Sequence, residues 1–385
     1  MLKKVLSVAL VLTLVITTFA GCGSKAPAGE TGPIKIGSIM PISGPVSAYG
    51  TQSRDAIIMA VDEINAAGGI LGRQVEAIVE DDEANPERTK SAFTKLVTDD
   101  GVIGIVGALT SKCSLAITAD AQARKIIMIS PSSTNDTVTD AGDYIFRSCY
   151  NDSFQGQVVA SFAYNDLKAM KAAILFDNTN DYSKGLTQTF KAKFEELGGT
   201  VVSEESYATG DMDFNAQLTK IKGTTPDVLF IPDYYNTVSL IAKQVKSQGL
   251  TSTMLGADGW DEIANNAGDE VVGSYYSNHY SPDANDPEVK AFVAKYTELF
   301  GVAPNALAAL AYDATYILTD AIAKAGSTDP EAIKTAMTET NKKFVTGQIS
   351  FDAKRNPIKS AVMVELVKGT EPNKPAVKYA ATVNP

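Results

Sequence analysis

Short apolar runs alternate with amphipathic stretches from Ile34 onward, and this alternation organises the first part of the chain. The segment Ser53–Ala66 carries its apolar residues at helical spacing, and Gly68-Gly69 follows it as a C-cap should. The runs typical of strands are Ile34–Ile39, Val75–Glu80, Val102–Val106, Ile126–Ile129 and Tyr144–Arg147. The helices predicted between them are Ser53–Ala66, Pro86–Asp99 and Ser114–Ala123. This βαβ alternation predicts a mostly parallel, doubly wound sheet, hence an α/β fold.

A second series of the same kind starts after Asn151. Its predicted strands are Ala172–Phe176, Thr200–Glu205, Val228–Ile231 and Met254–Leu255. Its predicted helices are Phe154–Leu167, Gly185–Leu197, Phe214–Ile221 and Thr237–Ser247. Two complete series in one chain predict two similar α/β lobes rather than one large sheet.

The remainder of the chain has a different order of elements. Long helices are predicted at Pro287–Phe300 and Asn305–Ala325, and strands at Gly347–Phe351 and Ala361–Val367. A helix-rich tail suits a return to the first lobe, so we expect the chain to pass between the lobes more than once. Small molecules bind outside the carboxyl ends of strands in open α/β sheets. Two such edges facing across a hinge therefore predict a cleft that closes on a ligand.

The N-terminus carries an export pattern. Lys3 and Lys4 precede an apolar run of sixteen residues, Val5–Ala20, which is shorter than the ~20 residues that a spanning helix needs. This pattern predicts a signal peptide over residues 1–21. The small residues before Cys22 resemble a lipobox, which predicts lipidation of the Cys22 thiol; an ordinary secretory signal with an incidental cysteine is the alternative. Residues 22–32 lack apolar periodicity and are expected to form a flexible tether.

The net charge of the chain bears on its binding partners, and its cysteine content bears on disulfide bonds. The 385 residues carry a formal net charge of −11, and removal of the two lysines with the signal peptide makes the mature chain more acidic. Such a surface argues against nucleic acid and anionic lipid as binding partners. Besides Cys22 there are only Cys113 and Cys149, so the chain is no disulfide scaffold. We favour free thiols for these two, although spacing alone does not decide whether they pair.

Signatures of catalysis, cofactors and metals are few. The single histidine, His279, follows Tyr275-Tyr276 in an expected crossover, where a plain polar role is favoured over that of a catalytic base. The sequence has no Gly-x-Gly-x-x-Gly and no Gly-Lys-Ser/Thr loop to hold a nucleotide cofactor. The acids of Glu80–Glu83 are typical of a solvated strand end, and Asp177–Asp181 is followed by Tyr182 where a calcium loop needs glycine. The sequence therefore predicts no enzyme, no cofactor and no metal.

Hydroxyl groups gather at two neighbouring strand ends of the first lobe. Gly107–Ser111 follows the third predicted strand and opens a helix, and Ser130–Thr134 follows the fourth. Serine and threonine are common helix caps, so each segment taken singly favours a structural role. Helix N-termini also present unpaired N–H groups that suit a carboxylate. Two such segments at one sheet edge together favour a carboxylate pocket.

The matching edge of the second lobe offers Tyr182, Tyr234 and the segment Gly256–Trp260. Asp258 in that segment is flanked by small residues, which is also the pattern of a simple turn. Opposite a site for anions, however, Asp258 is well placed to pair with an ammonium group. The two edges together predict a pocket for a zwitterion.

At these residues the chain resembles the branched-chain amino-acid receptors of bacterial uptake systems, the Leu/Ile/Val-binding type of periplasmic binding protein. The segments that carry the resemblance are Ser43-Gly44-Pro45, Tyr49-Gly50, Asp62-Glu63-Ile64-Asn65, Gly68-Gly69-Ile70-Leu71-Gly72, Glu80-Asp81-Asp82, Ile129-Ser130-Pro131 with Thr134, Phe146-Arg147 and Gly256-Ala257-Asp258-Gly259. The resemblance runs from about Ile34 to the C-terminal strands. It implies a type I fold, in which two flavodoxin-like lobes are joined by a three-crossover hinge. Lobe 1 would comprise residues 33–151 and 279–353, and lobe 2 would comprise residues 152–278 and 354–385.

The resemblance also implies roles for individual residues. Residues matching Ser111 and Thr134 bind the ligand's α-carboxylate in that family. The Thr134 hydroxyl and the Ser132 carbonyl would accept hydrogen bonds from the α-amine, and Asp258 would pair with it. The aromatic residues implied to line the pocket are Tyr49, Tyr182 and Tyr234.

Two departures from the family pattern stand out. Well-known members carry glutamate where this chain has Asp258, so the amine must lie closer to the carboxylate or be bridged by water. They also hold a disulfide whose positions here appear as Ala84 and Thr110. The loss of that disulfide affects no ligand contact.

The resulting hypothesis is a monomeric, lipid-anchored receptor on the outer face of the cytoplasmic membrane. It would capture a small amino acid, aliphatic or branched-chain, and deliver it to an ABC permease, without a cofactor. The alternative is a type I receptor or sensor for an amide, urea or an aromatic acid. Asp258 discriminates between the two, because a ligand without an amine leaves a desolvated carboxylate unpaired.

The anchor hypothesis predicts the behaviour of a Cys22→Ser variant. Without the thiol no lipid can be attached, so the exported protein should move from the membrane fraction to the soluble fraction in cell fractionation. A Cys113→Ser variant keeps Cys22 and should fractionate with membranes. Membrane association of Cys22→Ser equal to that of the unmodified sequence would contradict the hypothesis.

Overall fold

A computed structural model describes residues 32–384 of the chain. The predicted signal peptide over residues 1–21 and the lipidation site Cys22 therefore lie outside the described residues. In the part that is described, strands and helices alternate as the hydrophobic pattern predicts.

The first sheet has five parallel strands in the spatial order β2-β1-β3-β4-β5. These strands are β1 (Ile34–Met40), β2 (Val75–Asp81), β3 (Gly104–Gly107), β4 (Ile127–Ser130) and β5 (Ile145–Arg147). The helices that connect them are α1 (Ser47–Ala66), α2 (Pro86–Lys95) and α3 (Ser111–Ala123). Strands β3, β4 and β5 are buried along their whole length, as expected for parallel strands covered by helices on both faces. Because the strands are parallel, their carboxyl ends share one edge of the sheet.

The second sheet has seven strands in the spatial order β14-β13-β10-β9-β8-β6-β7. The parallel strands are β6 (Lys171–Asp177), β7 (Thr200–Tyr207), β8 (Val228–Phe230), β9 (Thr253–Gly256) and β10 (Tyr275–Asn278). The helices of this lobe are α4 (Asp152–Asn165), α5 (Asp181–Glu196), α6 (Asn215–Thr224), α7 (Tyr235–Gln248) and the short α8 (Ile263–Asn266). The sheet continues beyond β10 with β13 (Ala361–Lys368), which pairs antiparallel with β10, and β14 (Pro375–Val383), which pairs antiparallel with β13.

The segment between β10 and β13 returns to the first sheet. It forms α9 (Pro287–Phe300), α10 (Ala306–Ala325), α11 (Pro330–Thr338) and a hairpin of β11 (Asn341–Phe344) and β12 (Gly347–Ser350). Helix α10 packs against α1 and against the strands β3 and β4. The chain thus passes between the lobes after β5, after β10 and after β12. This is the predicted architecture of two doubly wound α/β lobes.

Helix α10 is predominantly apolar because most of it lies in the core of lobe 1. Among residues 32–384 it is the one helix with the length and composition of a membrane span, yet 78% of its apolar window is buried inside the protein. Its apolar character is explained by packing within the lobe.

Several elements differ from the sequence predictions. Helix α1 starts at Ser47 rather than Ser53, and α2 ends at Lys95, where a π-helical turn over Leu96–Asp100 replaces its predicted last turn. Five of these elements were not predicted: α8, β10, α11, β11 and β14. Strand β14 is an edge strand with mostly exposed side chains, so it lacks the apolar run that marks an interior strand. Strand β10 is short and ends in polar residues, which hid it within the expected crossover.

We expect Gly256→Ala at the end of β9 to lower the free energy of unfolding by about 1–3 kcal/mol, as overpacking of a core does. A Cβ atom there would lie 2.2 Å from the Trp260 indole ring. That ring is fully buried, and its Nε1–H donates to the Ile231 carbonyl over 2.8 Å. If the ring moved aside to make room for a methyl group, it would lose this hydrogen bond and its packing. Urea denaturation measures the change.

The same substitution at Gly223 in α6 is the control. A Cβ at Gly223 would meet no heavy atom within 4 Å, and alanine is favoured over glycine in helices by about 0.5–1 kcal/mol. Gly223→Ala should therefore leave stability unchanged or raise it. Equal losses in both variants would show that packing against Trp260 is not the cause.

Candidate functional site

A small cavity lies between the two lobes, at the carboxyl ends of their central strands. Lobe 1 supplies Tyr49, Leu109, Thr110, Ser111, Ser132 and Leu307, and lobe 2 supplies Tyr182, Tyr234, Asp258 and Gly259. Six of the seven residues predicted to bind ligand are therefore brought together. The seventh, Thr134, does not line the cavity and is fully buried, with its carbonyl accepting a hydrogen bond from the Asp152 amide.

The lobe 1 wall is built on the loop between β3 and α3. The Ala108 carbonyl in this loop accepts hydrogen bonds from Ser130 Oγ at 2.6 Å and from Ser114 Oγ at 3.0 Å. The Leu109 carbonyl accepts from Ser132 Oγ at 2.8 Å and from Ser133 Oγ at 3.1 Å. Part of the predicted hydroxyl cluster thus holds the loop in place, which is the structural role that the sequence left open.

Helix α3 presents its N-terminus at this wall. The N-cap residue Thr110 makes no side-chain capping hydrogen bond, and the first N–H groups of a helix have no intrahelical acceptor. The Ser111 Oγ accepts a hydrogen bond from the Asn135 amide at 3.2 Å, so its hydroxyl proton remains available to donate. Unpaired donors and the positive end of the helix dipole make this wall suitable for a carboxylate.

The lobe 2 wall is centred on Asp258, which is only 4% exposed. Its Oδ1 accepts hydrogen bonds from the Tyr182 hydroxyl at 2.8 Å and from Gln155 Nε2 at 3.0 Å. Its Oδ2 lies 3.0 Å from His279 Nε2. Burial lowers the pKa of His279, so at neutral pH the imidazole is uncharged and donates Nε2–H to Asp258. The carboxylate is fixed in place by neutral donors from three different elements.

Sequence reasoning missed two of these donors, Gln155 and His279. His279 was expected to be a plain polar residue of a crossover. It does follow β10, where the chain passes to the first lobe, but it also stacks on Tyr150 at 3.9 Å between ring centroids and holds Asp258, a role that was not predicted. Gln155 lies on the buried face of α4 and also donates to Ser277 Oγ. A glutamine on the apolar face of a predicted helix was the available signal.

Aromatic rings close the cavity from both lobes. Tyr182 and Tyr234 stack at 5.1 Å between centroids with an interplanar angle of 8°, and Tyr49 meets Tyr234 edge-on at 6.2 Å. Asn180 caps α5 by accepting from the Tyr182 amide, which directs the Tyr182 ring to the cleft. Burial raises the pKa of all three tyrosines well above the usual value, so their hydroxyls stay protonated as donors.

Hydrogen bonds join the two lobes around the cavity. The Tyr49 hydroxyl of lobe 1 donates to the Gly259 carbonyl of lobe 2 over 2.5 Å. Gln52 Nε2 donates to Glu262 Oε1 at 2.7 Å, and Asn135 Nδ2 donates to the Asp181 carbonyl at 2.9 Å. The lobes are therefore in contact, and this is a closed arrangement.

The acids considered for metal binding have structural partners. Asp81 accepts hydrogen bonds from Ser43 and from backbone amides of its loop, and Asp82 accepts from Thr89 Oγ1 at 2.9 Å. No group of three potential ligands able to hold a metal ion occurs among residues 32–384. Cys113 and Cys149 are buried free thiols, and burial raises the pKa of each to about 12.

Comparison with known proteins identifies the family. A family model described as periplasmic binding protein matches residues 33–371. The Leu/Ile/Val-binding protein homolog 2 of Brucella abortus is 35% identical over 345 residues, which cover 88% of this chain and 91% of that protein. The crystal structure of leucine-binding protein LivK from Thermotoga maritima is 36% identical, with a TM-score of 0.86 and coverage of 91% of this chain and 99% of that one. The structure of LivJ from Streptococcus pneumoniae, in complex with isoleucine, is 35% identical, with a TM-score of 0.85 and coverage of 92% and 100%.

The comparisons agree with the fold and with the resemblance seen in the sequence. The family consists of substrate-binding proteins of transporters, not enzymes, and its name implies a location outside the cytoplasm. The chain belongs to the periplasmic binding protein family, in the branched-chain amino-acid group with the type I fold.

Proposed function

We propose that the protein binds a small aliphatic amino acid in the interlobe cavity and delivers it to an ABC permease. One observation carries the proposal: a single closed cavity has unpaired donors of a helix N-terminus at one wall and the buried Asp258 carboxylate at the other. A zwitterion needs this pair of opposite walls. The names of the relatives, Leu/Ile/Val-binding protein and leucine-binding protein, support the same class of ligand.

The α-carboxylate is assigned to the lobe 1 wall. The Ser111 hydroxyl and the first N–H groups of α3 would donate to it, and the Thr134 hydroxyl, which has no other hydrogen-bond partner among the described residues, would complete the set. Hydrogen bonds to a charged group contribute about 1.5–3 kcal/mol each. Three such donors supply enough free energy for tight binding even after the cost of ordering the ligand.

The α-amine is assigned to Asp258. Its Oδ1 already accepts two hydrogen bonds and its Oδ2 accepts one, so Oδ2 retains capacity for an ammonium proton. The neutral donors around the carboxylate hold it in one orientation and bring no positive charge of their own.

The ligand side chain would meet the apolar part of the wall. Leu109 and Leu307 line it together with the faces of Tyr49 and Tyr234. No charged residue besides Asp258 is among the lining residues, so a charged ligand side chain would lose its hydration without a partner. This favours an aliphatic side chain.

We also propose where the receptor is attached and which membrane protein it meets. Lipidation of Cys22 would tether the receptor by residues 22–32 to the outer face of the cytoplasmic membrane. The closed protein, as a monomer, would then dock on the membrane subunits of its permease. The acidic composition supports a site beside the membrane rather than adsorbed to anionic headgroups.

The Asp258→Asn variant tests the amine assignment. It keeps the shape of the side chain but removes a charge partner from a desolvated site, which costs about 3–5 kcal/mol. Affinity for the best amino acid of a thermal-shift panel should therefore fall by about two to four decades in calorimetric titration.

Asp233→Asn is the matched control. Asp233 is a buried acid of the same lobe that contacts Tyr207 and the Tyr234 amide and does not line the cavity. Its replacement should leave the affinity nearly unchanged. Equal affinity of wild type and Asp258→Asn would reject ammonium pairing and favour an amine-free ligand.

Tyr49→Phe tests closure. The variant loses the hydrogen bond from Tyr49 to the Gly259 carbonyl, which joins the lobes, and such a bond contributes about 0.5–1.5 kcal/mol. We expect up to about tenfold weaker binding, with the same fall in radius of gyration at saturating ligand in X-ray scattering. Tyr379→Phe, on the exposed strand β14, should change neither value. A scattering profile of wild type that does not respond to ligand would contradict a closing receptor.

A further inference from the structure

A second buried carboxylate, Asp152, lies near Asp258 and accepts no well-formed hydrogen bond from residues 32–384. Asp152 is the first residue of α4, directly after the first crossover, and it is fully buried. Neither of its carboxylate oxygens has a hydrogen-bond donor among the residues that the structure describes. Asp258, by contrast, is surrounded by three donors. Of the two acids, Asp152 is the one whose charge is uncompensated.

The surroundings of Asp152 connect it to the ligand site. Its amide donates to the Thr134 carbonyl at 2.8 Å, and the Thr134 hydroxyl is equally buried and without a partner. One turn along α4, on the same helix face, Gln155 donates to Asp258 through Nε2, while its Oε1 accepts no hydrogen bond. Asp152 therefore lies on the same helix face as Gln155, which contacts Asp258, and next to Thr134.

Helix α5, which belongs to the same lobe as Asp152, also packs closely on its side chain. A Cβ atom at Gly185 of α5 would lie 2.9 Å from Asp152 Oδ2, so only glycine allows the carboxylate this position. The carboxylate thus lies where Thr134 of lobe 1 meets α5 of lobe 2.

A carboxylate in this position needs either a proton or a cation. Burial raises the pKa of Asp152 well above its usual value; the Thr134 hydroxyl offsets this in part, and repulsion by Asp258 and Asp136 adds to it. The nearby Arg147 guanidinium opposes the rise weakly, because it donates to the carbonyls of Ser133 and Asn135 rather than to Asp152. An ammonium group of the ligand would supply the missing positive charge.

We propose that Asp152 is a second carboxylate for the ligand's ammonium group, acting with Thr134 and Asp258, and that it determines the preference for ligands with an α-amine. The inference rests on the proposed function, because it concerns the same cleft. With Asp258 alone, one acceptor position faces the amine; with Asp152 the three ammonium protons find acceptors on two sides. An amine-free ligand would leave two buried acids without a cation, which is unfavourable.

The experiment compares Asp152→Asn with wild type against two ligands that differ only in the amine, L-leucine and 4-methylpentanoate. We expect calorimetry to show leucine binding weakened about 10- to 100-fold, as for loss of a hydrogen bond to a charged group. Binding of 4-methylpentanoate should be unchanged or tighter, because the variant removes an uncompensated charge. Asp136→Asn is the charge-matched control: Asp136 lies near Asp152 but is held by Ser153 Oγ, and its replacement should leave the leucine-to-acid ratio unchanged.

The outcomes separate this inference from the proposed function. If wild type binds no amino acid, the proposed function fails; if wild type binds leucine and Asp152→Asn binds it equally well, only the role of Asp152 fails. Equal weakening for both ligands would mean a structural role and would also overturn the inference.

A measurement on wild type alone covers the case in which Asp152→Asn does not fold. Calorimetry in two buffers of different ionisation enthalpy counts protons taken up on binding. We expect 4-methylpentanoate to bind with more proton uptake than leucine at pH 7, since the acid must then be neutralised by a proton instead of the ammonium. Identical proton counts for the two ligands would overturn the inference.

Discussion

The cleft depends on a desolvated negative charge held at its floor. Asp258 lies at the end of β9, and its carboxylate is kept in one orientation by Tyr182 of α5, Gln155 of α4 and His279 after β10. Removing a carboxylate from water is costly unless hydrogen bonds replace the lost hydration. The second lobe supplies those bonds from neutral groups, so the carboxylate remains available to a cation. The rings of Tyr49, Tyr182 and Tyr234 exclude water from the cavity, and this strengthens the electrostatic interaction between Asp258 and a bound cation.

The opposite wall follows from topology rather than from charge. In a parallel sheet every helix that follows a strand starts at the same edge, so the N-terminus of α3 faces the cleft together with the loop after β4. The serines after β4 hold the α3 loop through the carbonyls of Ala108 and Leu109. The two walls are thus rigid elements of separate lobes, each already shaped for one end of a zwitterion. The variable quantity is the distance between them.

That distance is controlled by hydrogen bonds between the lobes. Tyr49 and Asn135 donate to backbone carbonyls of lobe 2, and such bonds contribute about 0.5–1.5 kcal/mol each. Gln52 and Asn305 both donate to the carboxylate of Glu262, and hydrogen bonds to a charged group contribute about 1.5–3 kcal/mol each. A ligand that contacts both walls adds to these bonds and shifts the equilibrium further towards the closed state. Three crossovers allow the lobes to rotate without unfolding either one.

The sequence by itself determined the alternation of strands and helices, the two lobes and the residues at their strand ends. Local rules suffice for these features, because apolar periodicity and glycine position depend on neighbours along the chain. It identified five residues of the cavity wall from strand ends, which share an edge in any parallel sheet, and Tyr49 through the family resemblance. It missed β14, whose exposed side chains carry no apolar pattern, and it gave His279 no role in holding Asp258.

Only the tertiary structure decided which polar side chains meet. Gln155 and Asp258 are separated by 103 positions, and Tyr49 and Gly259 by 210, so no local pattern relates them. The buried Asp152 became visible in the same way, because a missing partner can be recognised only when every neighbour is known. The hydrophobic pattern of the chain specified the strand ends that form the two cavity walls. Long-range packing specified which polar side chains surround Asp258 and Asp152.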